Sequence, residues 1–542
     1  MDIPQPSDNI PRLRNLHPSQ LSYGALSNLS GEEYGAEVDH TGSFSDRLGN
    51  FVHSYSRTSM NFMAENLAVT PPDHHHEFND TFSESSYRRL SHDGSVVTRY
   101  ATGKSTLSQV ERPSLYFAQL DQVMSRHSTI ADVQSVLAHD ALPTKKSSFS
   151  QSVFNSINIL MGVGIIALPM GFRCAGWLCG ISVFFYCCVL TCHTAKLLAK
   201  CLDTESDAKT YGDLGALTFG NKGRIGITMI FITELMTSSI ALVVLFGDGL
   251  EILFDGAWSL EKVRLVTFCV LTPMLFLPVR HLSYTSILGI LSAFCILFVL
   301  LIDGFSKTDA PGSLITPAPT TFLPLDWSAV PLSFGLYMAS FAGHAVFPSI
   351  YRDMDDTKKY PTMVNLTYVI TTLAYFGVGV AGYLMFGSGT MQEITQNLMM
   401  VPEYHQTLNR FALLVIAVNP IAKYGLNMNP INLTWQLWLC RSPRWEVWYE
   451  DHSWLEPLVS VIGKSTASAT IVFLAYVFPE FHRLMGLLGA FFSFVISGIF
   501  PLTCHFYLFG STMTRMEKLM DGTLLAIAVM LCIIGTLSSI FV

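Results

Sequence analysis

Three ionisable side chains stand inside long apolar runs, where a charge is costly and marks a functional candidate. Glu234 lies in "FITELMTSS", Lys423 in "NPIAKYGLN" and His344 in "FAGHAVFPSIY". Burial favours the uncharged form of a carboxyl, so Glu234 is a candidate proton carrier. The alternative is a glutamate near a helix end, paired with Lys222. The ammonium of Lys423 can replace a metal cation against backbone carbonyls, or snorkel to the interface. Histidine titrates in a useful range, yet a buried, hydrogen-bonded imidazole is the commoner case. Asp248, Asp303 and His193 fall at the ends of apolar runs and read as interfacial.

A second pattern concerns the backbone. In "NILMGVGIIALPMGF" Gly164 and Pro169 are five residues apart, and in "FAGHAVFPSIY" so are Gly343 and Pro348. Both residue types are poor at sustaining a helix. A further echo pairs Pro278 and His281 with Pro479 and His482, each pair three apart at the head of a glycine-containing apolar run. Counted in spans, the two glycine–proline breaks are five apart. The second unit is therefore inserted upside down, and matched breaks in inverted repeats point to a transporter's binding site. Unwound backbone at membrane depth is tolerated only inside protein or along a cavity, and the positive end of the following half-helix suits a carboxylate. The plainer alternative is that glycine serves only close helix packing.

These features need membrane helices to position them, and the composition supplies them. The 542 residues are 50% hydrophobic and 14% charged, with a net charge of -8. Runs long enough to cross about 30 Å of hydrocarbon fall near 150–171, 176–200, 225–250, 263–278, 283–303, 328–351, 361–386, 407–430, 465–479, 483–508 and 521–541. An all-α polytopic membrane protein of eleven spans is expected. Repeat 1 covers about 149–303, repeat 2 about 328–508, and an extra helix 521–541. Residues 1–148 are polar and Ser-rich, cannot bury enough apolar surface to offset ordering, and read as a mostly disordered tail. One piece of it, "LYFAQLDQVMSRHSTIADVQSVLAHD", has the periodicity of one or two short amphipathic helices.

The opening "MDIPQPSDNIPRLR" has no apolar leader segment, which places the tail in the cytosol. Lys145, Lys146, Lys200, Lys209, Lys222, Arg224, Arg280, Arg352, Lys358, Lys359, Arg441, Arg444, Lys464, Arg515 and Lys518 then fall in inner loops. The outer loops hold Arg173, Lys262, Arg264, Lys307, Arg410 and Arg483. This bias agrees with a cytosolic N-terminus, and eleven spans put Val542 on the far side. The sequons at Asn28, Asn79, Asn365 and Asn432 are in the tail or at spans and are not expected to carry glycans. The eleven cysteines form no CxxC pair and read as small buried hydrophobes; Cys174 and Cys179 share a short loop and are the one candidate bridge. His74-His75-His76 reads as a solvated stretch, so no metal or cofactor is expected. No basic–aromatic stripe suggests nucleic acid. No nucleophile elbow or phosphate loop suggests an enzyme, and no filter motif or charge ring suggests a channel.

"FNSINILMGVGIIALPMGFRCAGW" resembles the first span of the amino acid/auxin permease family, in its vacuolar and vesicular amino acid transporter branch. "LFGDGLEIL" resembles the family's Gly-Asp pattern in the third span. The likeness covers about 149–542. It implies a leucine-transporter-like fold of five plus five helices and proton-coupled movement of amino acids across the vacuolar membrane. It also implies that Asn158, Leu160, Met161, Gly162, Val163 and Gly164 contact the substrate backbone. By the matched break, Ser340, Phe341, Gly343 and His344 join them. Val163 and Gly164 stand where polar side chains are common in the family, which fits a proton-driven carrier rather than a sodium-driven one.

The expected partners are an amino acid substrate, protons and the lipid bilayer, with no statement on oligomeric state. Large neutral amino acids entering the vacuole by proton antiport are the expected traffic, because the lining reads as apolar without a second strong charge. Export from the vacuole by proton symport, and an amino acid sensor signalling through the tail, are the alternatives.

Overall fold

Ser148 begins the ordered bundle by capping α1 (Phe149–Leu160). Its side chain takes the Gln151 amide while Gln151 returns a bond to the Ser148 backbone, which satisfies two amides a helix start leaves free. The computed structural model describes residues 146–541 except 206, 207, 209, 255, 278 and 441–452. The expected tail, its amphipathic piece, His74-His75-His76, Asn28, Asn79, Lys145, Lys209, Pro278, Arg441, Arg444 and Val542 lie outside the described residues.

Met161 and Gly162 leave the helix, a 3-10 turn runs over Val163–Ala167, and α2 (Leu168–Leu202) follows with Pro169 in its first turn. Proline belongs there, because the first helical residues need no amide partner. Within α2 the chain turns at Gly176, whose φ of 65° is a left-handed conformation open to glycine. The second break repeats this plan. Helix α6 (Val330–Ser340) ends, Gly343 sits at φ 137°, a 3-10 turn covers His344–Val346, and α7 (Phe347–Asp353) resumes with Pro348 in its first turn.

Between the breaks lie α3 (Tyr211–Leu253), α4 (Leu260–Leu271) with a 3-10 extension to Phe276, and α5 (Val279–Ser306). After them come α8 (Tyr360–Phe386), the short α9 (Ile394–Met400), α10 (Gln406–Cys440) and α11 (Glu456–Val477). Helix α12 (Phe481–Leu487) passes through a π-helical stretch, Leu488–Ile499, into α13 (Phe500–Phe509), and α14 (Arg515–Phe541) ends the described chain. Among the described residues nine helices are long and apolar enough to cross a membrane. One of these, Val163–Leu202, contains the Gly176 turn. The α4 segment is too short to be among them.

The packing has a two-fold logic. Helix α1 lies against α8 as α6 lies against α2, and α5 lies against α10 as the π-helical stretch lies against α3. The second five-helix unit thus repeats the contacts of the first in exchanged order, with α14 added on the α6 side. Phe298, Leu373, Phe473 and Ile533 are exposed on helix surfaces, as lipid-facing residues must be. Arg352, bonded to the carbonyls of Leu202 and Ala208 at 2.9 Å each, and the buried Ser147–Asp353 hydroxyl–carboxylate contact mark one end of the bundle. Arg173, bonded to the Thr390 carbonyl at 2.6 Å, marks the other.

Several expectations need correction. Lys464 is buried within α11, its ammonium 5.6 Å from the centroid of the Phe276 ring, rather than in a loop. Arg264 is buried on α4. Asp303 is fully buried, and His193 pairs with the buried Asp521 at 2.8 Å, so both are engaged with neighbouring helices rather than free at a surface. Both follow from helices packing on all sides, which a linear hydropathy reading does not capture. Cys174 and Cys179 are free thiols. Asn365 and Asn432 lie within α8 and α10.

Helix α6 approaches the end of α12 so closely that a Cβ on Gly335 would lie 2.7 Å from the Gly486 Cα. A Gly335→Val substitution must push these backbones apart. It is expected to destabilise by about 3 kcal/mol or more, at or beyond the upper end of overpacking costs. Thermal unfolding in detergent should show a clearly lowered midpoint; an unchanged midpoint would contradict the packing described.

Candidate functional site

Breaking a helix frees amides and carbonyls that must find other partners. At the first break the Leu160 carbonyl accepts the Tyr375 hydroxyl at 2.5 Å, and the Gly162 amide lies 3.4 Å from the same oxygen. The Met161 carbonyl accepts the Lys423 ammonium at 3.1 Å. Lys423 therefore turns inward from α10 and does not snorkel, and its positive charge occupies the carbonyl end of the break. Neither Gly162 nor Gly343 provides a side-chain cap for the turn that follows. The first short turn begins with Val163 and Gly164, which line the cavity described next.

The two breaks share one cavity of about 220 Å³. That is below the roughly 300–1,000 Å³ of drug-sized pockets and on the scale of one small metabolite. Asn158, Leu160, Gly162, Val163 and Gly164 line it from the first break, and Gly343, Ala345 and Val346 from the second. Glu234 and Lys423 line it together. Glu234 accepts from Ser493 Oγ at 3.4 Å and not from Lys222, which is twelve residues away, about 18 Å along the helix. Asn427 Nδ2 donates to Ser238 Oγ at 3.0 Å, joining α10 to α3 beside both charges.

The remaining expected residues are arranged differently. Met161 is buried and enters through its carbonyl. Ser340 and Phe341 pack behind the breaks. Ser340 Oγ donates to the Leu336 carbonyl at 3.0 Å, and Phe341 stacks on Tyr368 at 6.1 Å. His344 turns away onto α2, its Nε2 2.8 Å from the Thr191 carbonyl and 3.1 Å from Thr194 Oγ1. It is the buried, hydrogen-bonded imidazole of the commoner reading. The expectation of no second strong charge is also corrected, since Glu234 and Lys423 both line one cavity.

Ser238, Asn427 and Tyr375 were not singled out from the sequence. Ser238 follows Glu234 by four residues and Asn427 follows Lys423 by four, so helical periodicity alone puts each pair on one face. Tyr375 gave no such signal, because an aromatic residue in an apolar run reads equally as core.

Matched broken helices with a cavity between them, lined by both an acid and a lysine, are the architecture of an integral membrane carrier. The profile described as "Transmembrane amino acid transporter protein" matches residues 145–541. This chain belongs to that family. It is 30% identical over 472 residues to the amino acid transporter AVT1B of Arabidopsis thaliana, covering 84% of this chain and 83% of the relative. It is 30% identical over 433 residues to the amino acid transporter AVT1C of the same plant, covering 78% and 74%. Among solved structures, a manganese transporter of Eremococcus coleocola matches with 18% identity and a TM-score of 0.44, covering 72% of this chain and 88% of that one.

The break geometry is open to test. A Cβ on Gly164 would lie 2.8 Å from Ser340 Oγ and 3.0 Å from Ser340 Cα, and one on Gly343 would lie 2.8 Å from Ile159 Cγ2 at a strained φ. Gly164→Val and Gly343→Val should each reduce amino acid uptake to background while leaving a measurable fraction of folded protein. Wild-type uptake by both variants would remove the cavity from the transport route.

Proposed function

We propose that this protein is a proton-coupled secondary transporter of the vacuolar membrane that moves large neutral amino acids into the vacuole by proton antiport. The observation that carries the reading is the convergence of both breaks, Glu234 and Lys423 on one cavity. The α-carboxylate fits the uncapped turn after Gly162. The α-amino group fits the Glu234 side. With both charges ionised the cavity is neutral overall, which suits a zwitterion whose side chain carries no further charge. Phe231, Leu235, Leu242, Met485 and Leu488 offer that side chain an apolar wall.

Lys423 at the Met161 carbonyl supports proton rather than sodium drive, because a tethered ammonium already serves the carbonyls a sodium ion would use. Glu234 then carries the exchanged proton. Eleven crossings with the N-terminus in the cytosol and the C-terminus in the lumen belong to the same reading. They count the Gly176 turn as a reversal between two spans and α4 with its extension as a short span. In that orientation an acidic lumen loads the carboxyl, and proton exit drives amino acid entry. Residues 1–146 serve as a cytosolic tail outside the transporter core, to which Ser147 and Ser148 already belong.

Purified full-length protein in acid-inside vesicles, tested with labelled amino acids in turn, decides the substrate class and the coupling together. Accumulation of leucine-like substrates that collapses with the proton gradient supports the reading. Accumulation without a gradient requirement contradicts the coupling, and binding without accumulation favours a sensor. In the same assay Glu234→Gln should lose gradient-driven accumulation, with the concentration ratio falling to one, while still binding amino acid. Lys423→Met should lower accumulation and binding together, since it strips the Met161 carbonyl of its donor. Wild-type accumulation in both variants would contradict the assigned roles. Deleting residues 1–140 should leave folded, transport-competent protein by size-exclusion and uptake assays; loss of all folded protein would show the tail to be structural.

A further inference from the structure

Glu393 is 1% exposed, at the N-terminus of α9, in the segment that closes the end of the bundle remote from Ser147. Its Oε2 accepts from Thr395 Oγ1 at 3.3 Å, and its Oε1 has no donor among the described groups. The side chain it meets instead is another acid, Asp248 of α3, at hydrogen-bonding range. Two carboxylates without a donor between them repel in a low-dielectric site, so such a contact needs a proton. Burial, and next the charge of Asp248, hold the Glu393 carboxyl well above the usual range.

The surroundings balance only with that proton in place. Arg264 of α4 is 4% exposed, donates to the Val243 carbonyl at 3.3 Å, and acts on Asp248 as the opposing charge. Arg264 and ionised Asp248 cancel if Glu393 is neutral. If Glu393 ionises, the buried group carries a net negative charge, which is costly. Glu251 of α3, near the same group, adds repulsion and works the same way. The other charged groups on this segment's contacts are Arg173 of α2, at the Thr390 carbonyl, and His482 of α12, 2.9 Å from Gln392 Oε1. His405, Arg410 and the buried Asp303 of α5 lie about Asn409 of α10, which donates to the Leu398 carbonyl at 3.1 Å. Helix α9 itself packs on the 3-10 turn of the first break, so the seating of this segment bears directly on the substrate cavity.

We propose that Glu393 and Asp248 form a second proton-binding site, holding one proton donated from Glu393 to Asp248, and that this proton seats the 387–400 segment over the cavity. Loss of the proton from Glu393 to the adjoining solvent leaves an uncompensated buried charge and releases the segment, opening the cavity to that side. The proposal rests on the transporter reading above and deepens it. In the proposed orientation the acidic lumen loads the site and closes the lumenal entry, returning the carrier to the cytosolic side.

Two measurements on the full-length protein test it. Infrared titration of the protein in vesicles should show a protonated carboxylic C=O band that is lost in both Glu393→Gln and Asp248→Asn. Each variant leaves one carboxylate opposite Arg264 and so keeps the charge balance of the closed group. Exchange of labelled leucine should vary with lumenal-side pH in the wild type, by at most about tenfold per pH unit for one proton. In both variants it should lose the part of that dependence due to this site. With Glu234→Gln added, which removes the coupling carboxyl, it should be nearly flat, whereas Glu234→Gln alone keeps a lumenal-pH dependence. A wild-type pH profile in both variants overturns the proposal whatever the infrared result, as does persistence of the band in both. Wild-type exchange that ignores pH throughout, with the band lost as expected, would overturn the gating role of the shared proton; failure of the proton-coupled reading is read separately, as accumulation that survives collapse of the gradient.

Discussion

Everything in this fold answers to one constraint: backbone released from a helix at membrane depth has no water to satisfy it. Two helices are broken at matching places, and the rest of the bundle supplies what the breaks lack. Tyr375 of α8 serves the Leu160 carbonyl, and Lys423 of α10 serves that of Met161. Proline opens each following half-helix, where a missing amide costs nothing. No side chain caps either short turn, and the proposed ligand carboxylate sits at the first of them.

Satisfying the breaks places charge. Lys423 reaches the first break from α10 and faces the cavity wall that carries Glu234 on α3. Ser238 and Asn427, one helical turn beyond each charge, tie these helices together. Glu234 and Lys423 both line one cavity between two helices that pack on each other, and the proposed proton coupling rests on that placement. A comparable device holds α14 to the core, where the buried Asp521 takes His193 on one oxygen and His505 on the other, each at 2.8 Å.

The breaks were legible in the sequence because glycine and proline act locally: their spacing states where the helix stops and restarts. Glu234 and Lys423 were legible because charge in an apolar run is conspicuous. The direction a side chain faces around a helix was not. His344 sits in the second break but turns onto α2, since its ring finds the Thr191 carbonyl there. The π-helical run Leu488–Ile499, which packs against α6 and α14, left no mark in composition. Glu393 was invisible as a loop acid. Only the fold brings Asp248, 145 positions earlier in the chain, against it.

The central claim is that one amino acid sits between the two breaks, with its carboxylate on the turn after Gly162. An experimental density map of the protein with a transported amino acid bound tests this most directly. The account predicts density for the ligand carboxylate at the amides of Val163 and Gly164, with Lys423 still on the Met161 carbonyl. Ligand density elsewhere in the bundle, with the space between Gly162 and Gly343 filled by side chains, would contradict it.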